Sequence, residues 1–117
     1  MDQDVVTDRD VETYETDGVV CLRGAFGREW IDLLAAGVEK DIANPGPLHT
    51  IQQTANDPGF FLTDFCMAQR LAEFRRFVLE SPAGAISQRL MRSRRVNFFY
   101  DGLWVKERGT PKRTRWH

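Results

Sequence analysis

Apolar positions divide the chain into a front half with helical spacing and a back end with strand-like runs. Trp30, Leu34, Val38 and Ile42 recur every four residues, and Ile31 and Leu33 widen the stripe. This predicts a helix over about 28–43, stopped by Asn44-Pro45-Gly46-Pro47. Ahead of it, Thr7 is suited to cap a helix over 8–16, with Asp8 and Asp10 in a first turn that favours negative charge. Val11 and Tyr14 supply its apolar contacts, and Gly18 suits the left-handed residue that ends it. Val19-Val20-Cys21-Leu22 reads as a short buried strand near 19–23. Residues 44–59 hold three prolines and two glycines, a long loop for a compact domain and a candidate substrate-covering lid.

Asp64 is a possible cap for a helix over 65–80, with Met67, Leu71, Phe74 and Val78 on one face. Ser81-Pro82 opens a further helix over 82–91, with Ala85, Ile86 and Leu90 as its apolar residues. The pattern then changes. Residues 96–100 and 103–106 are strand-like, and Asp101-Gly102 between them fits either a hairpin turn or a bulge in one long strand. Residues 108–112 form a turn, and Thr114-Arg115-Trp116-His117 begins another strand. The expected class is α+β, with residues 1–94 mainly helical and 95–117 supplying strands. Those last residues carry many aromatics and little to cover them. A stable sheet needs three or more strands and a partner layer, so the chain is expected to be one part, 1–117, of a single larger domain.

Composition narrows this only modestly. The 117 residues are 42% hydrophobic and 28% charged, as in globular chains and unlike disordered ones. No apolar run is of bilayer-spanning length, and the acidic start is followed by no signal-peptide core. The expectation is a soluble cytoplasmic chain without membrane contact. Cys21 and Cys66 match no zinc spacing and are expected to be buried thiols. The formal net charge of −1 conceals an asymmetry: residues 1–17 carry −6, residues 18–88 carry −2 and residues 89–117 carry +7. A basic end fits nucleic acid, an anionic substrate or solvated strand edges.

Three stretches, in order, resemble the phytanoyl-CoA dioxygenase family of non-haem iron oxygenases. Residues 14–24, Tyr-Glu-Thr-Asp-Gly-Val-Val-Cys-Leu-Arg-Gly, are similar to that family's N-terminal Asp-Gly segment, and a long helix follows. Residues 101–107, Asp-Gly-Leu-Trp-Val-Lys-Glu, resemble its lysine-bearing strand before a glycine turn. Thr114-Arg115-Trp116-His117 resembles the opening of its Thr-x-Trp-His-x-Asp iron motif. The resemblance implies a helical N-terminal layer followed by the first strands of an incomplete double-stranded β-helix, a jelly-roll or cupin-like fold. It implies a small-molecule substrate, Fe(II) and 2-oxoglutarate as cofactors, and hydroxylation or sometimes halogenation as the reaction.

Carried over by position, His117 is the one matched metal ligand and Lys106 a cofactor-binding residue near the keto acid. No catalytic residue is carried over. The carboxylate two positions after His117, the distal histidine and the 2-oxoglutarate arginine are not in the chain. A facial triad needs two imidazoles and a carboxylate, so tight iron binding by this chain alone is not expected. Trp104 and Lys106 should share one strand face. A buried ammonium needs an anion, and a dicarboxylate would supply one; an exposed strand lysine guarding an edge is the plainer reading.

His49 reads as a solvated loop residue or a substrate contact. Asn97 and Tyr100 read as core or pocket lining, and 92–95 as a solvated turn or phosphate contact. Two other functions compete with the enzyme reading. One is a binding module, with bases interleaved among Phe98, Phe99, Tyr100 and Trp104 as on single-strand nucleic-acid platforms, although the acidic start makes nucleic acid the weaker partner. The other is a stand-alone chain that self-associates through unpaired strands.

Overall fold

The computed structural model describes residues 5–116. Four helices, α1 (Asp8–Asp17), α2 (Arg28–Ala43), α3 (Ala72–Glu80) and α4 (Ala83–Leu90), accompany three strands, β1 (Thr50–Gln52), β2 (Phe61–Phe65) and β3 (Gly102–Lys106). A 3-10 turn, Met67–Gln69, follows β2. The fold is α+β with an open antiparallel sheet in the order β1-β2-β3. Among the described residues, no helix is long and apolar enough to cross a membrane.

The helices form where periodicity and caps agree. At the start of α1 the Thr7 hydroxyl accepts from the Asp10 N–H at 3.2 Å, while the Asp10 carboxylate accepts from the Thr7 N–H at 2.8 Å. This reciprocal capping box satisfies two otherwise orphaned groups. Gly18 ends the helix at φ 76°, in the left-handed region. α3 and α4 begin later than the spacing predicts. The 3-10 turn takes up the first residues expected of α3, and α4 starts just after Pro82, with the Ser81 hydroxyl accepting from the Ala83 N–H.

The strands lie elsewhere than expected. Asp64, expected as the cap of a helix over 65–80, lies instead in Phe61–Phe65, the central strand, which is paired on both sides. A five-residue run with three apolar side chains and a threonine carries no periodicity that separates strand from helix; two ladder partners distant in sequence decide it. The 44–59 loop contains β1, so it is not wholly irregular. Residues 19–22 form no strand: among the described residues nothing pairs with them, and Val19 is 68% exposed. Residues 96–100 and 114–116 likewise have no ladder.

Asp101-Gly102 is therefore neither a hairpin turn nor a bulge. The Asp101 carbonyl accepts from the Cys66 N–H, and its carboxylate from the Ala68 N–H at 3.1 Å. These bonds pin the start of β3 to the turn that leaves β2. The chain is thus not helical first and strand-rich last, because two of its three strands precede α3. The thiols differ from expectation as well: Cys21 is exposed and Cys66 partly so.

One core joins the layers. Met67, Ala68 and Phe74 are buried against Leu34 and Val38 of α2, Leu71 and Val78 on the α3 side, and Leu103 of β3. α2 and α3 approach closely because Gly37 has no side chain; a Cβ there would lie 2.9 Å from the Phe74 ring and 3.0 Å from the Glu73 Cβ. At the far side α1 packs on α4, joined by ion pairs Arg89–Asp8 and Arg92–Glu15. Gly37→Val is expected to destabilise the chain by about 1–3 kcal/mol through overpacking. Urea unfolding monitored by tryptophan fluorescence checks this, and an unchanged midpoint would contradict the close approach.

Candidate functional site

The register sorts the side chains of β2 and β3 onto two faces. Leu62, Asp64, Leu103 and Val105 alternate with Phe61, Thr63, Phe65, Trp104 and Lys106. The first set faces the helices, where Leu103 joins the core. The second set lies on the opposite face, together with Thr50 and Gln52 of β1 through the pairs Thr50↔Thr63 and Gln52↔Phe61.

Contacts on this second face agree with the register. The Thr50 and Thr63 hydroxyls are 2.6 Å apart. The Phe65 ring meets Trp104 edge-on at 5.5 Å and Tyr100 at 6.2 Å. The Lys106 ammonium sits 5.0 Å above the centre of the Phe61 ring, a cation–π placement. Lys106 is exposed, and among the described residues it forms no ion pair. The face thus presents a cation, the Thr50 hydroxyl, an amide and a half-exposed indole, around the buried Phe61 and Thr63. That set is suited to holding an anionic group by charge and hydrogen bonds.

Behind this face lies a buried charge cluster. Asp41, in the last turn of α2, and Asp64 of β2 are both 0% exposed. Arg70, at the start of the segment leading to α3, bonds Asp41 and reaches Asp64 at 3.2 Å. Asp64 also accepts from the Gly46 N–H at 2.8 Å and from the Phe65 N–H at 2.8 Å. Gly46 must be glycine here, since a Cβ would lie 2.6 Å from Arg70 Nε and 3.0 Å from Asp64 Oδ2.

One guanidinium faces two carboxylates. Burial, and after it the neighbouring Asp64, pushes the Asp41 pKa up to about 6 against the pull of Arg70. Burial also opposes the charge on Asp64. The Gly46 N–H, Asp41, the Phe65 N–H and Arg70 together outweigh that penalty and hold its pKa below the usual value. Asp64 is the first of the pair to ionise, and Asp41 holds its proton up to about pH 6.

The sequence-derived candidates separate in space. Lys106 and Trp104 share the face away from the helices. His117, the expected metal ligand, lies outside the described residues. Asn97 instead lines a groove of ≈ 720 Å³ on the helix side, between α2, α3, α4 and residues 96–103, beside Leu34, Phe77, Phe98 and Leu103. Tyr100 spans toward the other side, against Phe65 and Phe99. His49 is exposed, with Nδ1 2.6 Å from the Gly46 carbonyl oxygen. In the 92–95 turn, Arg92 pairs with Glu15.

Sequence reasoning did not identify Asp41, Arg70, Thr50 or Thr63. One signal was available: an aspartate inside the apolar stripe of α2, one residue before Ile42. Comparisons with models of known families, with curated proteins and with solved structures found no match.

Asp64→Asn leaves Arg70 with Asp41 alone and takes the charged acceptor from the Gly46 N–H, and is expected to cost roughly 1–3 kcal/mol at pH 7. Its lowered pKa means that this contribution is present above the ordinary carboxylate range and is lost as pH falls through the folded value. Denaturant unfolding at pH 7 checks the size, and a loss below about 1 kcal/mol would exclude a structural role for the cluster.

Proposed function

We propose that this chain is the N-terminal part of an Fe(II)/2-oxoglutarate-dependent oxygenase of the phytanoyl-CoA dioxygenase type, acting on a small organic substrate. The observation that carries this reading is the position of Lys106. It stands beside Trp104 on the sheet face that the helices leave open, with no carboxylate among the described residues to pair it. In a double-stranded β-helix whose first sheet is backed by helices, that face is the barrel interior, where a dicarboxylate would meet the lysine. The sheet is only three strands wide, and β3 is an edge. Further strands adding beyond β3 would close the barrel.

The metal is a separate matter. A ferrous facial triad takes three protein donors. Only His117 is matched here. Among the described residues, no group of three or more His, Cys, Asp or Glu stands together as a metal cluster. The residues present do not fit the ion by themselves. What this chain's own residues would do is bind and orient: Lys106 by charge, Thr50 by a hydroxyl hydrogen bond, and Trp104 by excluding water.

The reading as a nucleic-acid module loses part of its basis. Arg89 and Arg92 are paired with the acidic α1, so the basic segment is partly neutralised within the chain. Self-association through the edge of β3 remains the competing use of that strand. It predicts a dimer in sedimentation equilibrium, whereas the oxygenase reading predicts that the edge is covered by later strands.

Two measurements test the oxygenase. The coding sequence after His117 is expected to read any residue and then Asp; a stop codon there would remove the iron motif. In the product of the whole reading frame, Lys106→Met is expected to weaken 2-oxoglutarate binding about ten- to a hundredfold, the loss of one charge-assisted contact. Unchanged affinity would show that Lys106 does not face the keto acid. The chain of 117 residues alone is expected to give no tight one-to-one Fe(II) isotherm in anaerobic calorimetry.

A further inference from the structure

We propose that Asp41, buried beside Asp64, forms a pH latch for the 44–49 loop: a proton on Asp41 keeps the loop seated on the sheet, and loss of that proton releases it. Two fully buried carboxylates face one guanidinium. Without a proton, one negative charge is in excess where water does not reach. Asp41 Oδ2 is sealed from solvent and has no hydrogen-bond partner, so when Asp41 is an anion only Oδ1, on Arg70, is compensated. A buried charge in that position drives either protonation or opening.

The 44–49 loop is the element able to open. α2 and β2 are held by the core and by two ladders, whereas the loop is tied down by a few polar bonds. The Gly46 N–H reaches Asp64 at 2.8 Å, and Arg70 donates to the Asn44 carbonyl at 3.3 Å. Lifting the loop brings water to both carboxylates. β1 begins at Thr50, directly after it, so the same movement loosens the Thr50–Thr63 contact on the open face. The latch thereby connects solvent pH to one edge of the candidate site.

Every charged or titratable group around Asp41 enters the account. Asp64 faces it from β2 and Arg70 from the segment before α3. The Lys40–Glu73 ion pair joins α2 to α3 one residue away. His49 is the other titratable side chain at this loop, bonded to the carbonyl of the same Gly46 whose N–H serves Asp64. The sign is fixed by Asp41. Its folded pKa is raised, so its contribution is fully present below the ordinary value of 3.8 and is lost as pH rises through about 6.

The test is hydrogen exchange of the Gly46 amide by NMR in the full chain, with protection compared to that of α2 amides between pH 5 and pH 7. Protection is expected to fall about tenfold over that interval, if opening restores the ordinary Asp41 pKa. In Asp41→Asn it is expected to stay flat, and in His49→Gln to fall as in the parent. Flat protection in the parent, an unchanged fall in Asp41→Asn, or a fall abolished by His49→Gln would each overturn the latch. Should Asp41→Asn fail to fold, the 13C shift of the Asp41 carboxyl in the unaltered chain decides. A midpoint near 6 supports the latch, and one near 4 overturns it.

Discussion

Arg70 bridging Asp41 and Asp64 is the interaction on which the arrangement of this chain depends. It ties the last turn of α2 to the central strand, and it takes the carbonyl of Asn44 as the helix ends. Removing two carboxylates from water costs several kcal/mol per ion unless charge and hydrogen bonds replace the water. Arg70, with its side chain 26% exposed, supplies the charge, and the backbone N–H groups of Gly46 and Phe65 supply the rest. The cluster therefore sets where the 44–49 loop lies and why the residue between its two prolines is glycine. Without it, the 44–49 loop that leads into β1 loses its ties to Asp64 and Arg70.

The sheet built on that anchor has unlike faces. Helices cover one and complete a core with Met67, Phe74 and Leu103. The other carries Lys106, Thr63, Thr50 and the half-exposed Trp104. A sheet and its helices form two layers around one core, and a third layer over the open face would bury aromatic surface that water now contacts. The oxygenase reading assigns that layer to further strands. The ≈ 720 Å³ groove lies on the helix side, between α2, α3, α4 and residues 96–103. A ligand held by Lys106 would not share it.

Charge distribution follows the same logic. The acidic start and the beginning of the basic end meet where α1 packs on α4, with Arg89 on Asp8 and Arg92 on Glu15. Exposed pairs of this kind contribute little each, but they orient the two ends. What reads in the sequence as a possible footprint of a polyanionic partner is in part an internal complement.

The sequence by itself determined the elements whose energetics are local. The four-residue spacing from Trp30 to Ile42 placed α2, the Thr7 cap and Gly18 placed α1, and period-two alternation put Trp104 and Lys106 on one face of β3. Each depends on residues within a turn or two of one another. The structure alone decided β1 and β2, because a strand's hydrogen bonds go to partners far along the chain; for Leu62 these are Ile51 and Val105. It also decided that Val19–Leu22 and residues 96–100, β-branched or aromatic as they are, stay without a ladder. Asp64 shows the limit most clearly. Before an apparent helix an aspartate reads as a cap in water. Its burial became favourable only once α2, Gly46 and Arg70 had converged on it, and no local pattern encodes that convergence.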